Sequence, residues 1–204
     1  MPRLAITNRW FFIPYAAVAV GVYFLHSAWV AVALYHGGIL LYLVATGRTI
    51  EVRGLVLSRR ILTVVSLSAF AVSGLLFFVM LPHVLLPGYI DERLASYGLS
   101  GRSFVVFVGY FSLVNPLLEE LFWRLYPART VNLLDDVLFA GYHPMVLALF
   151  MRPVFVVISF FALIALSRYW SYIKVSEGKH LYIIATHVLG DFSIILSVYI
   201  FATV

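Results

Sequence analysis

SFVVFVGYFSLVNPLLEELFWRLY, residues 103–126, is apolar over more than the ~20 residues that an α-helix needs to cross a bilayer. Its only charged side chains are Glu119, Glu120 and Arg124, all near one end. A soluble helix would show a polar stripe at helical spacing along its whole length, and this stretch has none. It reads as a membrane span that carries charge at one chosen depth.

The rest of the chain repeats the pattern. Apolar runs broken by short charged punctuation place spans at Trp10 to Leu25, Ala28 to Thr46, Ile61 to Leu81, Ser103 to Tyr126, Leu133 to Met151, Val154 to Ser171 and Leu181 to Thr203. The first two share one long apolar stretch, so a tight turn is expected near His26 and Ser27. Of 204 residues, 63% are hydrophobic and 11% charged, whereas soluble domains carry roughly 25% charged residues. The expected fold is all-α, a polytopic transmembrane bundle of about seven spans forming one membrane-embedded domain over residues 1–204. Only helices and closed barrels satisfy their backbone polar groups in lipid, and the run lengths are helical.

The formal net charge of +5 does not point to nucleic acid, because the basic residues sit at the ends of apolar runs and form no stripe. An N-terminus in the cytoplasm puts Arg3, Arg9, Arg48, Arg53, Arg59, Arg60, Arg124, Arg129, Arg168, Lys174 and Lys179 on one side and only Arg93, Arg102 and Arg152 on the other. That asymmetry follows the positive-inside rule and implies a multi-pass protein of the inner or plasma membrane. The opening MPRLAITNRW leads into an apolar run without a small-residue cleavage site, so it is expected to begin an uncleaved first span. There is no cysteine, which removes disulfides, thiolate metal sites and a cysteine nucleophile.

Ionisable residues inside spans cost at least ~2.5 kcal/mol each, so each needs a partner or a function. Glu119 and Glu120 in the fourth run, His143 in the fifth and His187 in the seventh stand out, with Asp191 one turn beyond His187. At the helical rise, Glu119, Glu120, His143 and His187 lie roughly 10–14 Å from the cytoplasmic end of their runs. Glu120 and Arg124 are four apart on one face with the acid first, the favourable order for an ion pair; His187 and Asp191 repeat the spacing. Pro116 and Pro144 interrupt two of these runs, freeing backbone carbonyls near the same layer. Each feature alone has a plainer explanation: a structural ion pair, or a histidine bonding one helix to another. Their shared depth favours one site, expected to place Glu119, His143 and His187 around a water-accessible cavity open to the cytoplasm. His26, His36, His83 and His180 lie near expected turns or interfaces and are assigned no chemistry.

A carboxylate and an imidazole in a poorly solvated pocket can activate water, and a second imidazole can donate to an oxyanion. Other intramembrane hydrolases would leave different marks. No histidine opens an HExxH metal motif, Val188-Leu189-Gly190-Asp191 lacks the first glycine of GxGD, and Ala71-Val72-Ser73-Gly74 lacks that of GxSG.

The sequence does resemble one family. EELFWR (Glu119 to Arg124) is similar to the EExxxR motif of the CAAX-protease and bacteriocin-processing family, which includes the type II CAAX prenyl endopeptidases. FAGYH (Phe139 to His143) resembles its FxxxH motif, and HVLGD (His187 to Asp191) its histidine followed four residues later by Asn or Asp. The three occur in order, on separate runs, across the half of the chain from about 103 to 204. The resemblance implies a metal-independent, cofactor-free intramembrane endopeptidase of glutamate type. In it Glu119 would activate water with His143, His187 and Asp191 would stabilise the oxyanion, and Glu120 with Arg124 would brace the site. Asp191 supplies such a donor only in its protonated form. The implied partners are membrane lipids and a membrane-associated substrate: a prenylated tail, a bacteriocin precursor or a C-terminal sorting helix. Three rivals share the same residues: an ion-coupled transporter, a catalytically silent scaffold or immunity protein, and a zinc site built from Glu119 or Glu120 with His143 and His187.

Overall fold

A computed structural model describes residues 9–46, 60–125, 132–177 and 180–204. Residues 1–8 with Arg3, and Arg48, Arg53, Arg59, Tyr126, Arg129 and Lys179, lie outside the described residues. Among those described, every extended element is helical, and pairing of strand type is confined to a single bridge between Leu85 and Met151.

Helix α1 runs through a 3-10 turn (Arg9–Phe12), an α segment (Ile13–Val18) and a π-helical stretch (Ala19–Phe24). It is followed by α2 (Ala28–Thr46), α3 (Arg60–Val84), the short α4 (Ile90–Ala95) and α5 (Gly101–Glu120), which continues as a π turn over Leu121–Leu125. Then come α6 (Leu133–Gly141), α7 (His143–Leu147), α8 (Pro153–Glu177) and α9 (His180–Thr203).

Four helical stretches are long and apolar enough to cross a membrane: Ala28–Thr46, Gly101–Arg124, Pro153–Val175 and His180–Thr203. They correspond to the second, fourth, sixth and seventh expected spans. The expected first span is the shorter apolar helix Trp10–Phe24, and within the expected third span the described side chains give the apolar helical stretch Val72–Val84. The expected fifth span is not one helix. Pro144 has no N–H to give to Ala140, so the chain breaks at Tyr142 between α6 and α7.

Burial runs opposite to that of a water-soluble protein. The span in α8 has mean hydropathy 1.8 yet only 11% of it is buried, and Phe161, Leu41 and Leu75 are each at least 60% exposed. Glu119, Glu120, Arg124, Asp136 and His187 are buried instead. Apolar side chains outside and charges inside suit lipid as the surrounding solvent, and the chain is a membrane protein.

One end of the bundle is tied by turns. The α1–α2 reversal falls at His26, whose φ of 46° places it in the left-handed region, and Ser27 N–H donates to the Gly21 carbonyl at 2.8 Å. Ala28 N–H donates to the Tyr97 carbonyl at 3.0 Å, which draws this turn against the segment between α4 and α5. Leu86 N–H reaches the Phe150 carbonyl at 2.8 Å and Arg152 N–H the Val84 carbonyl at 2.9 Å, joining the end of α3 to the start of α8. Small residues let backbones approach elsewhere. Any side chain at Gly21 would collide with Ala31 of α2, and at Gly74 with Ser193 of α9. Ser197 Oγ donates to the Gly74 carbonyl at 2.9 Å, the kind of interhelical bond that holds helices together in lipid.

The main core is aromatic and surrounds the charged layer. Phe11, Tyr35, Tyr42, Phe122, Trp123, Phe139, Tyr142 and Trp170 pack as one buried cluster, largely in edge-to-face and stacked pairs.

Candidate active site

Glu119 and Glu120 end the α-helical part of α5, and Arg124 lies in the π turn that follows. Pro116 leaves the carbonyl of Ser112 without its usual helical donor, and the hydroxyl of Ser112 is buried without a hydrogen-bond partner among the described residues. A π turn inserts one residue into the helical ladder, and such irregularities gather at functional sites. Here the EELFWR motif straddles the junction between the α-helical and π-helical segments.

Arg124 Nη1 donates to Glu120 Oε1, and Nη2 donates to Ser167 Oγ of α8 at 2.9 Å. Its guanidinium lies over the rings of Phe139, 4.5 Å away, and Trp170, 4.8 Å away, so aromatic faces replace solvent around the cation. On α9, His187 Nδ1 is 2.8 Å from Glu120 Oε1, while Nε2 is 3.5 Å from Glu119 Oε2 and 3.7 Å from Asp191 Oδ1. Both ring nitrogens therefore face carboxylate oxygens, and Trp170 stacks on the ring at 4.5 Å. Five of the six expected residues, Glu119, Glu120, Arg124, His187 and Asp191, form one connected network between α5 and α9.

His143 joins this network differently. It opens α7, and its Nδ1 lies 3.0 Å from the carbonyl of Phe139, which can only accept, so Nδ1 carries the proton and the neutral ring keeps its lone pair on Nε2. The ring stacks on Tyr142 at 4.1 Å and meets the edge of Phe139 at 5.2 Å. It is Tyr142, the neighbouring residue, whose hydroxyl donates to Glu119 Oε1. Glu119 Oε2 has no hydrogen-bond partner among the described residues.

Among the described residues no open cavity surrounds the glutamates and His187. Glu119, Glu120 and His187 are 2%, 1% and 5% exposed, because the aromatic cluster packs over them. A pocket beside them is lined by Arg124, Asp136, Phe139, Ser167, Ser171 and Lys174, and its walls do not include the glutamates.

Several residues of the site carried no weight in the sequence. His36, expected near a turn or interface and assigned no chemistry, sits inside α2, 3% exposed, with Nδ1 2.9 Å from Tyr110 OH and Nε2 3.2 Å from Asn115 Oδ1. Asn115 in turn donates from Nδ2 to Asp191 Oδ2 at 3.3 Å. Asp136, 1% exposed on α6, accepts from Ser167 at 2.7 Å and pairs with Arg168 at 3.4 Å, completing a chain from Arg124 through Ser167. Two signals were available: Asn115 stands one helical turn before Glu119, and Tyr142 adjoins His143.

No group of three or more histidine, aspartate or glutamate side chains that could hold a metal ion forms among the described residues. No family model, curated protein or solved structure matches the chain.

Proposed function

We propose that this chain is an intramembrane endopeptidase of glutamate type, resembling the CAAX-protease and bacteriocin-processing family in its three ordered motifs. The observation that carries the reading is Glu119, a buried carboxylate whose Oε1 is held by Tyr142 while Oε2 has no hydrogen-bond partner among the described residues. A carboxylate oriented through one oxygen, with the other making no hydrogen bond among the described residues and facing His187 Nε2 at 3.5 Å, is arranged to take a proton.

In this mechanism Glu119 Oε2 accepts a proton from water as the water oxygen bonds to the carbonyl carbon of the scissile peptide. The carbonyl π pair moves onto its oxygen, where N–H or O–H donors on α9 stabilise it. Collapse of the tetrahedral intermediate breaks the C–N bond, and the proton held by Glu119 passes to the leaving nitrogen. His143, with its lone pair on Nε2, helps to position the water. Glu120 and Arg124 hold His187 from behind. Because the glutamates are covered, a substrate segment entering between helices must displace part of the aromatic cover, and chemistry waits for that opening.

The substrate is a membrane-associated protein or peptide cut near the cytoplasmic face of the inner or plasma membrane: a prenylated tail, a bacteriocin precursor or a C-terminal sorting helix. The test is cleavage by purified protein in liposomes, presented with prenylated peptides and with apolar helices flanked by basic residues, read by mass spectrometry. Discrete products from the wild type and none from Glu119→Gln are expected. Equal products from both would overturn the reading.

The closed state of the network favours a second reading, a catalytically silent scaffold. Glu120 Oε1 accepts from Arg124 and faces His187 Nδ1 at 2.8 Å, so these residues also serve to tie α5 to α9. That reading predicts that the wild type cleaves none of these peptides while Glu120→Ala still impairs folding.

A further inference from the structure

We infer that His36 and Asn115 are positioning residues of this site, which hold the carboxyl group of Asp191 in the orientation that presents Oδ1 to His187. This role deepens the peptidase reading and rests on it for its catalytic consequence, but the geometry stands independently.

The chain of bonds has a definite direction. Asp191 Oδ2 faces the amide nitrogen of Asn115 at 3.3 Å, so the amide oxygen points the other way, toward His36 Nε2 at 3.2 Å. An amide oxygen only accepts, so Nε2 of His36 must carry the proton. Nδ1 is then the acceptor in the neutral ring, and Tyr110 OH, 2.9 Å away, donates to it. The order is thus Tyr110 to His36 to Asn115 to Asp191, running from α2 and α5 into α9. Each link sets the next: Tyr110 selects the histidine tautomer, the tautomer prevents the amide from turning over, and the amide fixes the carboxyl plane.

Burial makes the arrangement costly to leave incomplete. His36 is 3% and Asn115 2% exposed, and an unpaired polar group at such a position in lipid is strongly unfavourable. Asp191 has competing neighbours. His187 on its own helix attracts it, while Glu119 and Glu120 on α5 repel its charged form. Without a second bond on Oδ2, those opposed forces would leave the carboxyl free to rotate away from His187. Asn115 supplies that bond, and His36 keeps Asn115 facing the right way.

The residues are separable by mutation. His36→Phe keeps the ring shape and removes both nitrogens; His36→Gln returns an N–H close to where Nε2 lies. With a peptide cleaved by the wild type in liposomes, His36→Phe should lower kcat about tenfold or more with KM little changed, because the bond lost is to a buried, partly charged network. His36→Gln should recover most of that loss, and Tyr110→Phe should cost less than His36→Phe. A loss in His36→Phe that tracks only the folded fraction, with no recovery in His36→Gln, overturns the proposal. A second readout needs no activity. The infrared difference between wild type and Asp191→Asn isolates the carboxyl band of Asp191, and the same difference taken in the His36→Phe and Asn115→Leu backgrounds should show that band shifted and broadened. An unchanged band overturns the proposal even if no substrate is ever cut, whereas a shifted band with an inactive wild type leaves the positioning intact and rejects the peptidase reading. If His36→Phe does not fold, Tyr110→Phe carries both measurements.

Discussion

His187 Nδ1 lies 2.8 Å from Glu120 Oε1, and this contact joins α9 to α5 inside the membrane-spanning bundle. Glu120 accepts at the same oxygen from Arg124, so one carboxylate oxygen binds a guanidinium from its own helix and an imidazole from another. The pairing gives the two adjacent glutamates different roles. Glu120 Oε1 serves the brace to Arg124 and His187, whereas Glu119 is held by the Tyr142 hydroxyl and makes no ion pair with the guanidinium among the described residues.

That division predicts opposite phenotypes for neighbouring residues. Glu119→Gln should insert and fold like the wild type and lose at least ~10²-fold in cleavage rate, the scale of a lost general base. Glu120→Ala or Arg124→Ala should lower stability by about 3–5 kcal/mol, since either leaves a buried charge unpaired. Thermal unfolding in detergent, measured beside activity, distinguishes them; a stable, inactive Glu120→Ala would reverse the assignment.

Tyr142→Phe removes the hydroxyl that holds Glu119 Oε1 and leaves the stacking on His143 in place. A buried hydrogen bond to a charged group contributes ~1.5–3 kcal/mol, so kcat should fall roughly tenfold or more while the protein remains folded. Wild-type kcat in this variant would show that the hydroxyl does not position the base.

His143→Ala should abolish cleavage without loss of insertion, because the ring nitrogen that faces away from Phe139 is the one available to water. A partial loss recovered by His143→Gln would instead mark a packing role on Tyr142.

Asp191→Asn should keep substantial activity. The amide oxygen can still accept from Asn115, and the amide nitrogen can donate to an oxyanion without needing a proton. Asp191→Ala removes both contacts and should cost about 10²–10³ in rate. Should the two variants prove equally inactive in initial-rate assays, the ionised carboxylate is needed to orient His187.

Cleavage should persist in metal chelators. A zinc site from Glu119 or Glu120 with His143 and His187 would have to break the contacts of both histidines, since His187 faces carboxylates with both nitrogens and His143 Nδ1 faces a carbonyl. Loss of activity in chelator, restored by added zinc, would establish that alternative instead.

The membrane-spanning helices and the motif residues were legible in the chain itself, for a local reason. Lipid excludes charge and demands internally bonded backbone, so apolar run length alone marks Ala28–Thr46, Gly101–Arg124, Pro153–Val175 and His180–Thr203, and any charge within them stands out. Glu119, Glu120, Arg124 and His187 were visible on that ground, and the Glu120–Arg124 pair followed from helical spacing within one element. What tertiary structure decided was everything that depends on neighbours from other elements. His36 looked idle because its partners, Tyr110 and Asn115, lie far along the chain and meet it only when α2 packs on α5. The break at Tyr142 turned an expected fifth span into two short helices, and Tyr142 at that break gives its hydroxyl to Glu119. Among the described residues the glutamates are covered rather than open to a cavity, because aromatic side chains from several helices pack over them. Run length and spacing are properties of one segment, whereas a bond direction, a covering ring or a closed pocket is a property of two or more segments held at a distance that packing alone sets.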